Sequence, residues 1–213
     1  MSEPAYIEPV QERSIATKER LLAALEKLLR THSIHDLTVS VIASEAGVTT
    51  GAIYRRFKDK QALLQAASER AHEDATTAKK LDEYVTSNDE ALIREMLLGI
   101  LNYAFTHMAL MRATAAMNDD VSFTHMQAAR NEVASSLARN LKNSAYSGEE
   151  LERRARFVLR TATAAIRDTY MSGPGGYDCS LSPAEFQRRN RKSVSNLIDN
   201  LLEMSTVYLG VSN

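Results

Sequence analysis

The leucines of "SIATKERLLAALEKLLRTHS" fall at 21, 22, 25, 28 and 29, and Lys18, Glu19, Glu26, Lys27 and Arg30 lie mostly opposite. Spacings of three and four residues predict a helix from about Ser14 with one core-facing stripe. A second helix follows in "LTVSVIASEAGV", where Thr38 is a good N-cap, Val41, Ile42 and Ala46 are apolar, and Gly47 is a natural left-handed stop. A short helix is expected from about Thr49 to Phe57. Asp59 can then cap a helix over "KQALLQAASERAHEDATTAKKL", with Leu64, Ala67, Ala71 and Ala75 on one side.

Three later starts carry Ser followed three residues on by Glu, the capping-box pattern. They are Ser87 with Glu90, Ser147 with Glu150, and Ser182 with Glu185, the last with Pro183 at the first helical position. Asp119 or Asp120 is expected to open another helix through Leu141. "SGPGGYDCSLSP" reads as a loop before one long final helix. No useful length of chain alternates with period two, so the fold class is all-α, with about nine helices. The segments divide into a flexible tail (1–13), a unit of short helices (14–60), a connecting helix (61–81) and a C-terminal helical domain (82–213).

Net charge changes the picture little: 26 Lys plus Arg against 27 Asp plus Glu give −1, so any affinity for nucleic acid must come from local clustering. The first thirteen residues have no apolar core and do not resemble a secretory leader. The longest uncharged apolar run, Met96 to Met111, contains Asn102 and His107 and falls short of a membrane span. A single cysteine, Cys179, excludes an internal disulfide framework. A cytoplasmic protein with no membrane partner is expected. His32, His35, His72, His107 and His125 show no metal-binding spacing, Cys179 lacks a nucleophile signature, and glycine-rich phosphate loops are absent. No enzyme, cofactor or metal site is expected.

The local cluster lies in "GVTTGAIYRRFKDKQALL", residues 47 to 64. Residues 39 to 57 have the spacing of a helix-turn-helix. Ala43 is small where two helices cross, Gly47 supplies the turn, and Val48 and Ile53 bury the second helix against the first. That helix would expose Thr49, Thr50, Gly51, Ala52, Tyr54 and Arg55. Small and hydroxyl residues at a helix N-terminus let the backbone approach DNA, and threonine can hydrogen-bond a base edge or touch a thymine methyl. Tyr54 can meet a phosphate, while Arg55, Lys58 and Lys60 supply sequence-independent attraction.

"LTVSVIASEAGVTTGAIYRRFKDKQALL" resembles the DNA-binding signature of TetR-family transcriptional regulators, with its Thr-Val start, mid-helix Ala, Gly-Val turn, and tyrosine followed by Phe-Lys-x-Lys. The resemblance covers residues 14 to about 70. It implies that Thr38 meets a phosphate, that Ser40, Thr49, Thr50 and Gly51 lie near bases, and that Tyr54 and Lys60 touch the backbone. It also implies a homodimer on a palindromic double-stranded operator, and hence a ligand-responsive regulator, most simply a repressor.

The C-terminal half gives broader expectations. "MLLGILNYAFTHMALM" is apolar almost all round and is normally enclosed, with Gly99 hinting at a kink or a close approach. Asn102, Tyr103, Phe105, His107, Met108, Met111, Phe123 and Met126 are the candidate lining of a cavity for a small apolar or aromatic effector. A packed core is the alternative for the same side chains. Leu151, Ala155, Val158 and Ala162 form one stripe and Val194, Leu197, Ile198 and Leu201 another. Paired across two subunits they would make a four-helix bundle. Packing within one chain is the alternative there. A helical scaffold that meets an acidic protein through the basic patch is the rival function.

Overall fold

The computed structural model describes residues 9–73, 77–84, 88–118, 120–171 and 181–212. Among these there are ten α-helices and no named strand. In chain order they are α1 (Pro9–Leu29), α2 (Val39–Glu45), α3 (Thr50–Tyr54), α4 (Lys60–Glu73), α5 (Thr77–Glu83), α6 (Asp89–Ala116), α7 (Asp120–Asn140), α8 (Gly148–Met171), α9 (Pro183–Arg189) and α10 (Arg191–Tyr208).

The all-α expectation holds, and several boundaries move. Helix α1 runs back to Pro9, so residues 9–13 are helical rather than part of a tail. Residues 74–76 lie outside the described set, and the helix expected over 61–81 is described as α4 and α5. Asp59 does cap α4, accepting from Ala62 N at 2.8 Å. The start of α6 is capped by Asn88, whose side chain accepts from Ala91 N, while Ser87 lies outside the described residues. At α8 the Glu150 carboxylate is taken by Arg153 and Arg154, both at 2.7 Å, which holds it down at about 2. Among the described residues a capping box forms at α9, where Ser182 accepts from Glu185 N and Glu185 reaches back to Ser182 N. Asn190, at φ −106° and ψ 20°, divides the expected final helix into α9 and α10. Helix α6 passes through Gly99 without a break. Residues 172–180 of the expected loop, with Cys179, lie outside the described residues.

Two apolar clusters organise the chain. The first joins Leu21, Leu22 and Leu25 of α1 to Ile42 and Ala43 of α2, Ile53 of α3, and Leu63, Leu64 and Ala67 of α4. Leu110 and Ala113, near the end of α6, also belong to it, so α6 reaches from one cluster into the other. The second cluster gathers the rest of α6 with α7, α8, α9 and α10. Its centre is a set of edge-to-face rings, Phe105 with Tyr170 at 5.2 Å and Phe186 at 5.0 Å.

The two stripes expected to pair subunits go into this second core. Leu151, Ala155, Val158, Ala162, Ile198 and Leu201 are buried within the chain, and Val194 and Leu197 pack against the same core. The physical reason is proximity. A stripe of small residues lets α8 lie closely on its own neighbours, and an apolar face is covered by whatever is nearest. The outward faces of α8 and α10 instead expose Phe157 and Val207, the latter 77% accessible.

Candidate DNA-binding face and effector cavity

The helix-turn-helix is built by local chemistry. Thr38 caps α2, its hydroxyl accepting from Val41 N at 3.3 Å and lying 2.9 Å from Ser40 Oγ. Gly47 has φ +63°, a left-handed conformation that ends α2, and Val48 N then bonds back to Ala43 O at 2.9 Å. Thr49 caps α3, accepting from Ala52 N at 3.3 Å. Ala43 and Ile53 are buried at the crossing. Gly47→Ala should cost about 1 kcal/mol, because the new Cβ meets no atom but the left-handed φ is strained. Thermal melts of the two proteins would check this.

The corner presents Ser40, Thr49, Thr50, Gly51, Tyr54, Arg55 and Lys58 on its exposed surface. Thr38 is also exposed, with its hydroxyl engaged in the cap. Ala52 departs from the expected set: it is 7% accessible and faces the core side of α3. Lys60 departs too. Its ammonium, partly buried, donates to the carbonyls of Ile34 and Leu37, the latter at 2.8 Å, and so ties α4 to the α1–α2 connection. Arg56, absent from the expected set, has a similar task. Its guanidinium donates to Ala52 O at 3.0 Å and to Ser14 O and Oγ, holding the end of α3 against α1. Arg55 and Lys58 are left as the outward cations of this face.

The second concavity lies between α4, α6, α7 and α8. An inner, mostly apolar cleft of about 90 Å³ adjoins a cavity of about 680 Å³, and the two share His72, Tyr103, Met111, Met126, Arg130, Thr163 and Arg167 on their walls. Of the expected lining, Tyr103, His107, Met111, Phe123 and Met126 are here. Phe105 and Met108 are not: both are buried in the core. Asn102 is also elsewhere, on the exposed side of α6, where it accepts from Gln187 Nε2 at 2.9 Å. The three misplaced residues are explained by helical phase, since positions 103, 107 and 111 share one face of α6 and 105 and 108 lie on another.

Burial pushes the Tyr103 phenol up to about 12. Its ring packs between His72 and His107, with centroids 5.9 and 4.8 Å away. His72 gives an Nδ1 proton to the Ser68 carbonyl, and its Nε2 is buried without a partner. No group of three or more His, Cys, Asp or Glu among the described residues is placed to hold a metal ion. No helix is long and apolar enough to cross a membrane among those residues.

Residues 21–67, which contain α2, α3 and the turn between them, match the family model for bacterial regulatory proteins of the tetR family. The helix-turn-helix segment is similar to that family's DNA-binding region. It is 28% identical over 118 residues to the HTH-type transcriptional regulator TtgR of Pseudomonas putida, an alignment covering 54% of this chain and 55% of that one. The match thus spans about half the length of the curated relative. Among solved structures, Salmonella enterica GusR superposes with a TM-score of 0.63 at 18% identity, over 97% of this chain and 99% of GusR. SmeT, the repressor of the Stenotrophomonas maltophilia multidrug efflux pump SmeDEF, superposes with a TM-score of 0.54 at 18% identity, over 91% and 90% of the two chains. TetR-family regulators are DNA-binding transcription factors, not enzymes.

The family match ends at residue 67, before the first residue that lines the cavity, Ser68. That wall was also the harder one to read from sequence. His72, Arg130, Arg160, Thr163 and Arg167 line it, and none was expected to. One signal was available: Arg160, Thr163 and Arg167 share one side of α8 at spacings of three and four.

Proposed function

We propose that this chain is a ligand-responsive, sequence-specific DNA-binding regulator, a repressor released from a palindromic operator by a small-molecule effector. The observation that carries this reading is the face of α3: Thr50, Gly51 and Tyr54 stand exposed on a five-residue helix whose opposite side, Ala52 and Ile53, is fixed in the core. A short helix held so firmly, with small and hydroxyl residues outward, suits the major groove. Arg55 and Lys58 add sequence-independent attraction. The same fold serves a repressor in SmeT.

The second copy joins through the outer faces of α8 and α10. Phe157 and Val207 are exposed there, and the Phe157 ring lies 5.0 Å from that of Tyr208. Two recognition helices then meet successive major grooves about 34 Å apart. Val207→Glu should convert the dimer to a monomer in sedimentation while leaving the helical spectrum unchanged. A dimer that persists with Glu at 207 would rule out this surface.

Helix α4 is the mechanical link between the two sites. Lys60, at its start, anchors the α1–α2 connection, whereas Ser68 and His72, about 12 to 18 Å along a rod rising 1.5 Å per residue, stand in the cavity wall. Arg70 binds α4 to α1 through Glu19 and Glu26 at 2.7 and 2.6 Å. An effector that prefers one setting of α4 shifts the spacing of the two recognition helices, through its differential affinity for the two settings.

Selection from random duplexes, followed by titration at two salt concentrations, tests the DNA reading. A palindrome should emerge with at least about a 10³-fold preference over random sequence. Thr50→Ala should change the preferred bases, and Lys58→Ala should lower the salt slope by about one without changing them. Sequence-blind binding would instead favour a partner-binding scaffold.

A further inference from the structure

The effector cavity carries more positive charge than its own side chains compensate. Arg130 of α7 and Arg160 and Arg167 of α8 line it together. Elsewhere in this half of the chain guanidinium groups find carboxylates: Arg94 with Asp199 at 3.1 Å, Arg139 with Asp82 at 3.2 Å, and Arg156 with Glu152 at 3.0 Å. Among the described residues no carboxylate forms an ion pair with Arg130, Arg160 or Arg167. Asp120 and Glu132 also reach these walls, and neither is paired with the three arginines. Arg130 is partly buried, and burial, followed by the charges of Arg160 and Arg167, pushes its guanidinium below the usual arginine range. Arg130 is half-buried while Arg160 and Arg167 are exposed at the rim, so three like charges face one cavity and would draw an anion into it. The adjoining cleft is apolar, and His72 Nε2 is a buried polar atom left open beside it.

We propose that this cavity takes an amphipathic organic anion, an apolar or aromatic carboxylic acid. Its carboxylate sits among Arg130, Arg160 and Arg167, and its hydrocarbon part lies along Tyr103, Met111 and Met126. Guanidinium groups bind a carboxylate through paired N–H donors, and the flexible thioethers of the two methionines accommodate a range of apolar shapes. A phosphate is the other source of anionic charge, but it has no use for the apolar cleft. The inference rests on the cavity being the effector site.

The test uses the full chain with decanoate, decanamide, 4-phenylbutyrate, 4-phenylbutyramide and inorganic phosphate. Thermal stability and release of a fluorescent operator are read separately. The acids should raise the melting temperature in proportion to the logarithm of concentration, and the amides and phosphate should not. Arg130→Gln and Arg167→Gln should each weaken acid binding by about tenfold or more, the scale of a lost charge-assisted hydrogen bond. The ligand-free variants should melt no lower than the parent, because each removes an uncompensated charge. Amides that bind as well as the acids overturn the proposal. So do phosphate acting as strongly as the acids, a series in which no acid binds, or acid affinity untouched by both substitutions. Specific DNA binding with no response to any acid overturns the anion and leaves the regulator standing. Acid binding that needs the arginines but never releases DNA supports the anionic site and removes the release mechanism.

Discussion

Gly51→Leu should leave the free protein at least as stable as its parent and lower its affinity for the selected operator by about a hundredfold or more. The two halves of this expectation have separate causes. A Cβ at position 51 would meet only Arg55 Nη1 and Thr49 Oγ1, both at 3.9 Å, which is ordinary contact. Glycine is also the poorer helix former, so leucine adds up to about 0.8 kcal/mol to α3. The side chain would project from the face that carries Thr50 and Tyr54, where the helix must come within hydrogen-bonding distance of base edges. Holding it a few ångströms away forfeits two or more base contacts at roughly 1–3 kcal/mol each. Thermal unfolding and fluorescence anisotropy on the same preparations separate the effects. Operator affinity within a factor of three of the parent would mean that α3 does not enter the groove by this face.

The helix-turn-helix was legible because its determinants are local. Thr38, Gly47 and Thr49 act within three or four residues of their own positions, and Ala43 and Ile53 follow one amphipathic period, so sequence spacing maps directly onto geometry. Charge was less readable. Arg55, Arg56, Lys58 and Lys60 look alike in a string, yet Arg56 and Lys60 turn inward to carbonyls contributed by residues more than twenty positions away. Only the three-dimensional placement of α1, for Arg56, and of the α1–α2 connection, for Lys60, decides that. Apolar stripes pose the same problem in the second half. Periodicity in α8 and α10 identifies a buried face, but Ala155 and Ile198 could be covered by the same chain or by another, and the same chain covers them. The cavity was half-read for a related reason. Met111 and Met126 stood out by composition, whereas Arg130, Arg160 and Arg167 look like solvated charges until α7 and α8 bring them to one wall.

Asp89→Ala should destabilise the protein by about 3 kcal/mol and leave DNA recognition intact at low temperature. Asp89 is the first residue of α6 and only 4% accessible. Its carboxylate accepts from Lys142 N at 3.0 and 3.1 Å and from Asn143 N at 2.6 Å, so it fixes the turn between α7 and α8. That turn in turn holds the end of α10. Ala145 N donates to Gly210 O at 2.8 Å and Ser144 Oγ to Leu209 O at 2.7 Å. Alanine would remove the charged acceptor that two backbone N–H groups of this turn share, each lost bond costing roughly 1–3 kcal/mol. The helix start itself keeps its cap, because Asn88 accepts from Ala91 N independently. The loss therefore measures the turn and not the helix. For a chain of this length about 3 kcal/mol corresponds to a fall of roughly 6–12 °C in melting temperature. Asp89→Asn retains one acceptor oxygen and should fall between the two. Because Ala43, Ile53 and the rest of the helix-turn-helix belong to the other apolar cluster, operator affinity at 10 °C should stay near that of the parent. A melting temperature unchanged by alanine would show that the turn is held by its other bonds, and a parallel loss of operator affinity would show that the two clusters do not act independently.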